Sequence, residues 1–337
     1  MEDYTHDRRG DVGAWVREAA MTGLSSLTTS LASKSPKLVP QVCVEVMMPK
    51  IAQQAVEKID RTRGQAAQIF ASLLISSLDI PHIPRKSEIL QCFPAKIQKP
   101  GPKFDEFGWA VESETFPIFT KIMRFSEYAE HVLLGLMISV GGVTERLVRQ
   151  SSLSLFKELE NMSEETLTDF GALLVKIFKK FQKVDRITLP LLKSLDQMFT
   201  SGWLQNILNT EFAFEIFTLV KTEITKCGEP NKLVSSIDVF CNLLQAEHVT
   251  TVQKCLVQLS IFLCHKFPRI RKVTAAKLFE TLLMYDTVIT DDEKRDEINN
   301  ILSDTNWDLP VEELRPIRNK FCELVGVQPP ALIKKPL

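Results

Sequence analysis

At 337 residues, with 45% hydrophobic and 25% charged residues, the chain can form two ordinary domains or one extended array, and its composition is that of a folded protein. Lys plus Arg number 41 against 42 Asp plus Glu, so the net charge of −1 offers no global basic field and disfavours a nucleic-acid partner. The opening MEDYTHDRRGD is polar and charged, unlike a secretory signal, and no apolar run approaches the ~18 residues of a membrane span.

The first organised stretch is GDVGAWVREAAMTGL, from Gly10 to Leu24. Its glycines fit neither GxxxxGK[ST] nor GxGxxG after a strand, so no phosphate loop is present. The stretch predicts a repeat helix with a glycine turn before it, Asp11 as its cap and Trp15 in the core. Residues 79–109 hold five prolines (81, 84, 94, 100 and 102) and predict a long connection between helical residues 1–78 and 110–330. Such a connection is either a partner-binding insertion or the seam between two helical blocks.

Further along, apolar residues at 167, 170, 173, 174, 177, 178 and 181 predict an amphipathic helix. Its polar side carries Lys176, Lys179, Lys180 and Lys183 at i, i+3, i+4 and i+7. These lysines are a candidate contact for an acidic partner, weighed against the solvated face of an ordinary helix. Helical patterns recur over 211–226, 231–246, 249–266, 270–284 and 310–325, separated by breakers such as Phe267-Pro268. In TDDEKRDEINN, Thr290 is expected to cap a helix with Glu293 in the capping-box position.

A repeat underlies these helices. VREAAMTGL, TRGQAAQIF, VRQSSLSLF and IRKVTAAKL align on Arg17, Arg63, Arg149 and Arg271, with a small or short residue three positions later and an apolar one seven later. The arginine spacings of 46, 86 and 122 are near one, two and three periods of the helical HEAT and armadillo repeats. RITLPLLKSL (186–195) and KLVSSIDVF (232–240) are weaker copies. The expected fold is all-α, an α-solenoid of HEAT/armadillo-like helix pairs, in which the phased arginines and Asp11 are packing residues.

Chemistry-bearing clusters are sparse. The seven cysteines contain no CxxC and sit mostly in apolar segments, as reduced core thiols of a cytosolic protein would. Cys255, Cys264 and His265 lack metal-ligand spacing, and the five histidines are scattered, so neither a metal, a cofactor nor a catalytic residue is expected.

DYTHDRRGDVGAWVREAAM (3–21), LVPQVCVEVMMPKIAQQAVEKIDRTRGQAA (38–67) and LRPIRNKFCELVGVQPP (314–330) resemble the C-terminal region of the tubulin-folding cofactor D family, over essentially the whole chain. The resemblance implies a non-enzymatic chaperone of HEAT-like repeats that captures β-tubulin and joins α-tubulin held by cofactor E. It implies that, with cofactor C, the assembly stimulates GTP hydrolysis by tubulin, and that an Arf-like small GTPase is a further partner. The implied locations are cytoplasm, microtubules, centrosome and lateral cell junctions. Family members are several times longer, so the chain corresponds to a short isoform or a fragment. Residues 331–337 form a C-terminal tail, ALIKKPL, that matches no motif. A different role, stimulating a small GTPase through a supplied arginine, would fall to Arg17 or Arg271.

Overall fold

The computed structural model describes residues 1–208, 211–285 and 288–331, so the tail expected at 331–337 lies outside the described residues from position 332 onward. The fold is all-α: sixteen α-helices and one two-stranded hairpin occur among the described residues. They fall into two compact units, Met1–Asn161 and Met162–Leu337. Residues 79–109 therefore lie inside the first unit, and the division between units comes some fifty residues later.

The first unit opens with a short antiparallel hairpin, β1 (His6–Asp7) and β2 (Gly10–Asp11). Gly10 has φ +107°, which favours glycine at this turn. Next come α1 (Gly13–Lys34), α2 (Gln41–Gln54) and α3 (Asp60–Leu74). Two short helices, α4 (Lys86–Leu90) and α5 (Pro102–Asp105), interrupt the proline-rich stretch. The unit ends with α6 (Glu112–Ile122), α7 (Ser126–Val140) and α8 (Glu145–Leu159).

Neighbouring helices of this unit stack in solenoid fashion, α1 on α3, α2 on α7 and α6 on α8. Gly135 allows α7 to approach α2, because a Cβ there would stand 2.5 Å from the Gln53 carbonyl oxygen. Ser139 Oγ then donates to the Val56 carbonyl at 2.7 Å. The proline-rich stretch packs rather than loops out: Ile80, Ile89, Phe93, Ile97 and Trp109 are buried. Phe93 and Phe70 both meet Phe119 edge-on, at 5.9 and 5.3 Å between centroids, so the segment completes the core of its unit.

The second unit contains α9 (Glu164–Lys180), α10 (Asp185–Thr200), α11 (Glu211–Ile224), α12 (Pro230–Asn242), α13 (Val249–Leu263), α14 (Pro268–Met284), α15 (Asp292–Asp304) and α16 (Val311–Leu324). Alternate helices make two layers: α9, α11 and α13 pack in series, as do α10, α12 and α14. Phe217, Phe240 and Phe262 form an aromatic chain across them, with centroids 5.6 and 6.3 Å apart.

Local signals set the helix ends. Ser163 accepts from Thr166 N at the start of α9, Glu164 and Glu165 sit at its positive end, and Lys179 and Lys180 at its negative end. Prolines at the first positions of α12 and α14 cost no hydrogen bond. Two expected caps are corrected. Asp291, not Thr290, caps α15, its carboxylate accepting from Lys294 N at 3.2 Å. Val12, whose side chain has no acceptor, occupies the N-cap of α1, and the Asp11 carboxylate is engaged by Arg17 instead.

Candidate functional site

Three of the four phased arginines are buried side chains on helices: Arg17 on α1, Arg63 on α3 and Arg271 on α14. A guanidinium carries five donors in a fixed fork, so burial requires several acceptors around it. Arg271 finds the carbonyls of His265 before its own helix and of Trp307 and Leu309 beyond it, at 2.8, 2.7 and 3.1 Å. Arg63 repeats the scheme with the Glu57 and Ala110 carbonyls, both at 3.2 Å. Its neighbour Gly64 permits the approach, since a Cβ would lie 2.9 Å from Ala110. Asp60 pairs with Arg63 at 2.7 Å, and Glu112 stands 3.4 Å away as a second counter-charge.

Arg17 uses the N-terminal segment instead. It holds Asp11 at 2.9 and 3.1 Å, donates to the Asp3 carbonyl and to Gln54 Oε1, and stacks 4.1 Å from the Tyr4 ring. Burial alone would lower its pKa, but the Asp11 hydrogen bond and the charges of Glu57 and Asp11 raise it above the ordinary arginine value. Tyr4 in turn donates to Glu57 and accepts from Gln53 and Gln54, which closes a polar network over the C-terminal half of α2.

The fourth member departs from the pattern. Arg149 is exposed on α8, whose inward face is made by Leu147, Ser151, Ser152 and Leu155, so it is not a packing residue. The cation that reaches α6 from α8 is Arg146, 3.1 Å from Glu112. Trp15 is likewise corrected: it is 52% exposed and lies beside Arg9 at 5.4 Å instead of entering the core. The weaker copy at 232–240 supplies a further buried cation, Lys232, between Asp185 and Glu223. Burial lowers its pKa, and the two carboxylates more than offset that and raise it.

Glu223, the penultimate residue of α11, has no sequence signal, since an acid on a helix reads as a solvated position. It is fully buried, and it accepts from Thr188 Oγ1 at 2.9 Å, from Lys183 N at 2.7 Å and from Lys232.

The lysine stripe is only partly a stripe. Lys176, Lys179 and Lys180 are exposed on α9. Lys179 pairs with Glu215 at 2.6 Å and Lys180 lies 5.4 Å from the Phe181 ring. The helix ends at Lys180, so Lys183 leaves the stripe. It takes φ +65° and donates to the backbone oxygens of Glu223 and Thr225.

Among the described residues, no group of three or more His, Cys, Asp and Glu side chains could hold a metal ion. No helix among them is long and apolar enough to cross a membrane. The two arginines that could serve as donors to a small GTPase, Arg17 and Arg271, are 1% and 3% exposed, and every guanidinium nitrogen of each makes a hydrogen bond within the chain.

The family model described as "Tubulin folding cofactor D C terminal" matches residues 45–232, more than half of the chain. The tubulin-specific chaperone D of Dictyostelium discoideum is 26% identical, over 99% of this chain and 25% of that protein. The tubulin-folding cofactor D of Schizosaccharomyces pombe is 21% identical, over 92% of this chain and 27% of its own length. The chain thus spans about a quarter of the length of these relatives. No solved structure matches. A match over more than half of the chain shows that it belongs to the tubulin folding cofactor D C-terminal family.

Proposed function

We propose that the chain is a non-enzymatic tubulin-folding chaperone module. In this reading it binds β-tubulin, other tubulin cofactors such as C and E, or both, during assembly and disassembly of the αβ-tubulin heterodimer. The observation that carries the reading is the family match across residues 45–232, supported by two relatives named for tubulin folding. A stacked-helix array suits such work, because it offers extended surfaces and needs no reactive group. The site of action is then the cytoplasm, with the cytoskeleton, centrosome and lateral cell junctions as the places where tubulin partners would draw it.

The proposed contact is the exposed face of α9 carrying Lys176, Lys179 and Lys180, which suits an acidic partner. Lys183 is left out of it because its ammonium group is committed to Glu223 and Thr225. Size-exclusion chromatography of the chain with purified tubulin tests the module. Co-elution is expected, weakened in a Lys179→Glu/Lys180→Glu variant of unchanged helicity, and separate elution at micromolar concentrations sinks the reading. In the alternative, the chain stimulates GTP hydrolysis by tubulin or an Arf-like small GTPase. It would then need a residue other than Arg17 or Arg271, given their burial.

A further inference from the structure

A cleft of about 680 Å³ opens in the second unit between α11, α13 and the turn that follows α16. The turn is built by Gly326 at φ +74°, and Val327 N donates back to the Cys322 carbonyl at 2.9 Å, which brings Val327 and Gln328 into the lining. Phe217, Val257 and Val327 give the cleft an apolar floor. Lys221 and Lys254 are its charged groups, and none of the described residues lining it is acidic.

Lys221, which is half-buried, differs from the buried Lys232 and the exposed Lys277 of the same unit. Lys232 has Asp185 and Glu223 as partners, and Lys277 has Asp238 and Glu280. Lys221 donates instead to a neutral amide, Gln258 Oε1. The consequence shows in their titration: carboxylates raise the pKa of Lys232 and Lys277, whereas burial lowers that of Lys221. A half-buried ammonium without a counter-charge costs free energy that an incoming carboxylate recovers. Lys254, on the rim, is steered by the Phe214 ring 5.3 Å away.

We propose that this cleft is a docking site for an acidic peptide segment of a partner protein, with an apolar side chain on Phe217 and Val327 and a carboxylate on Lys221. A second carboxylate of the same segment reaches Lys254. Charge complementarity selects the occupant: an apolar floor alone accepts any hydrophobic segment, but the two cations on this one select for neighbouring Asp or Glu. The site is separate from the lysine face of α9 and does not require that the partner be tubulin.

Fluorescence anisotropy with the full chain and a fluorescein-labelled peptide of alternating glutamate and leucine tests the inference. Saturable binding is expected, at least tenfold weaker with a peptide of alternating glutamine and leucine, and at least tenfold weaker for Lys221→Gln. Val327→Asp, which places an acid on the floor without touching either lysine, is expected to weaken binding as much. Lys34→Gln/Lys37→Gln, in the first unit, is expected to leave it unchanged. Absence of saturable binding overturns the proposal, as does equal affinity for the glutamine peptide or an equal loss in the Lys34/Lys37 variant. Those outcomes leave tubulin co-elution untouched, and a failure of co-elution leaves this binding untouched.

Discussion

Arg271 Nε donates to the backbone oxygen of Trp307 at 2.7 Å, joining α14 to the turn that precedes α16. The same guanidinium holds the His265 carbonyl in the turn before α14 and the Leu309 carbonyl beside Trp307. One side chain thus donates to carbonyls of two separate turns, the one before α14 and the one before α16. Arg63 does the same work in the first unit, and both stand near the N-terminus of their helix, where the dipole opposes a cation. At Arg271 the carbonyls answer that opposition, and at Arg63 the carbonyls are joined by Asp60 and Glu112.

Arg271→Met keeps the aliphatic stem but leaves three carbonyls without their donor. Such a loss costs about 2–4 kcal/mol. Arg149→Met, on the solvent face of α8, is expected to change stability by no more than about 0.5 kcal/mol. Urea melts of the two variants measure the difference, and equal effects would remove the arginine ladder from the account of stability.

The periodicity of the sequence placed the helices, because apolar spacing reports directly on which face is buried. The helices read over 211–226, 249–266 and 270–284 correspond to Glu211–Ile224, Val249–Leu263 and Pro268–Met284. What periodicity could not place was anything held by distant partners. Tyr4 is ordered by Glu57 and Gln54, fifty residues away, so nothing in its polar, charged segment signals the network it joins. Asp11 sits where a cap belongs, yet the competing guanidinium of Arg17 takes its carboxylate. Pattern likewise put Arg149 in phase, but the register of α8 turns it outward and lets Arg146 meet Glu112. The lysine stripe stops short of Lys183 because the helical geometry on which its spacing relies ends at Lys180, and Lys183 itself takes a left-handed φ.

Glycine substitutions separate packing from propensity. Gly135→Ala gains about 1 kcal/mol of helix propensity, but its methyl meets the Gln53 carbonyl oxygen at 2.5 Å, and a backbone atom of α2 cannot yield cheaply. Overpacking of this kind costs about 1–3 kcal/mol, so the net effect is destabilising. Gly23→Ala in α1 meets nothing within 4 Å and keeps the full propensity gain. Opposite shifts in Tm are expected, and a stabilised Gly135→Ala would show that α2 and α7 are not in close contact.

Thiol labelling should resolve into classes. Cys43 is exposed, while Cys241 and Cys255 are buried. Burial pushes the Cys241 thiol up to about 12 and that of Cys255 well above the usual range, so neither offers thiolate at pH 8. A disulfide reagent is expected to modify Cys43 in the fastest phase, which Cys43→Ser removes. Cys241 and Cys255 should react only in denaturant; rapid native labelling of either would contradict their burial.

Asp238 gives the stability a pH dependence of defined sign. Burial pushes its carboxyl up to about 6, Asp196 adds to the rise, Lys277 opposes it and Glu280 adds a smaller rise. Asp196 faces it from α10, while Lys277 and Glu280 face it from α14. The folded chain therefore holds this proton more tightly than the unfolded chain, and between about pH 4 and 6 the folded state carries more of it. The contribution of Asp238 to stability consequently falls as pH rises through that window, and above it the ionised carboxylate is a standing cost. Asp238→Asn removes the ionisation while keeping the shape. Allowing for solvent screening, the variant is expected to be on the order of 1–2 kcal/mol more stable than the parent at pH 7.5. The advantage should fade towards pH 4, where the folded parent holds its carboxyl neutral and the unfolded chain begins to protonate it too. Thermal melts of both proteins from pH 4 to 8 measure the difference. A gap that stays constant across the range, or a less stable variant at pH 7.5, would mean that the Lys277 contact outweighs burial and the Asp196 charge.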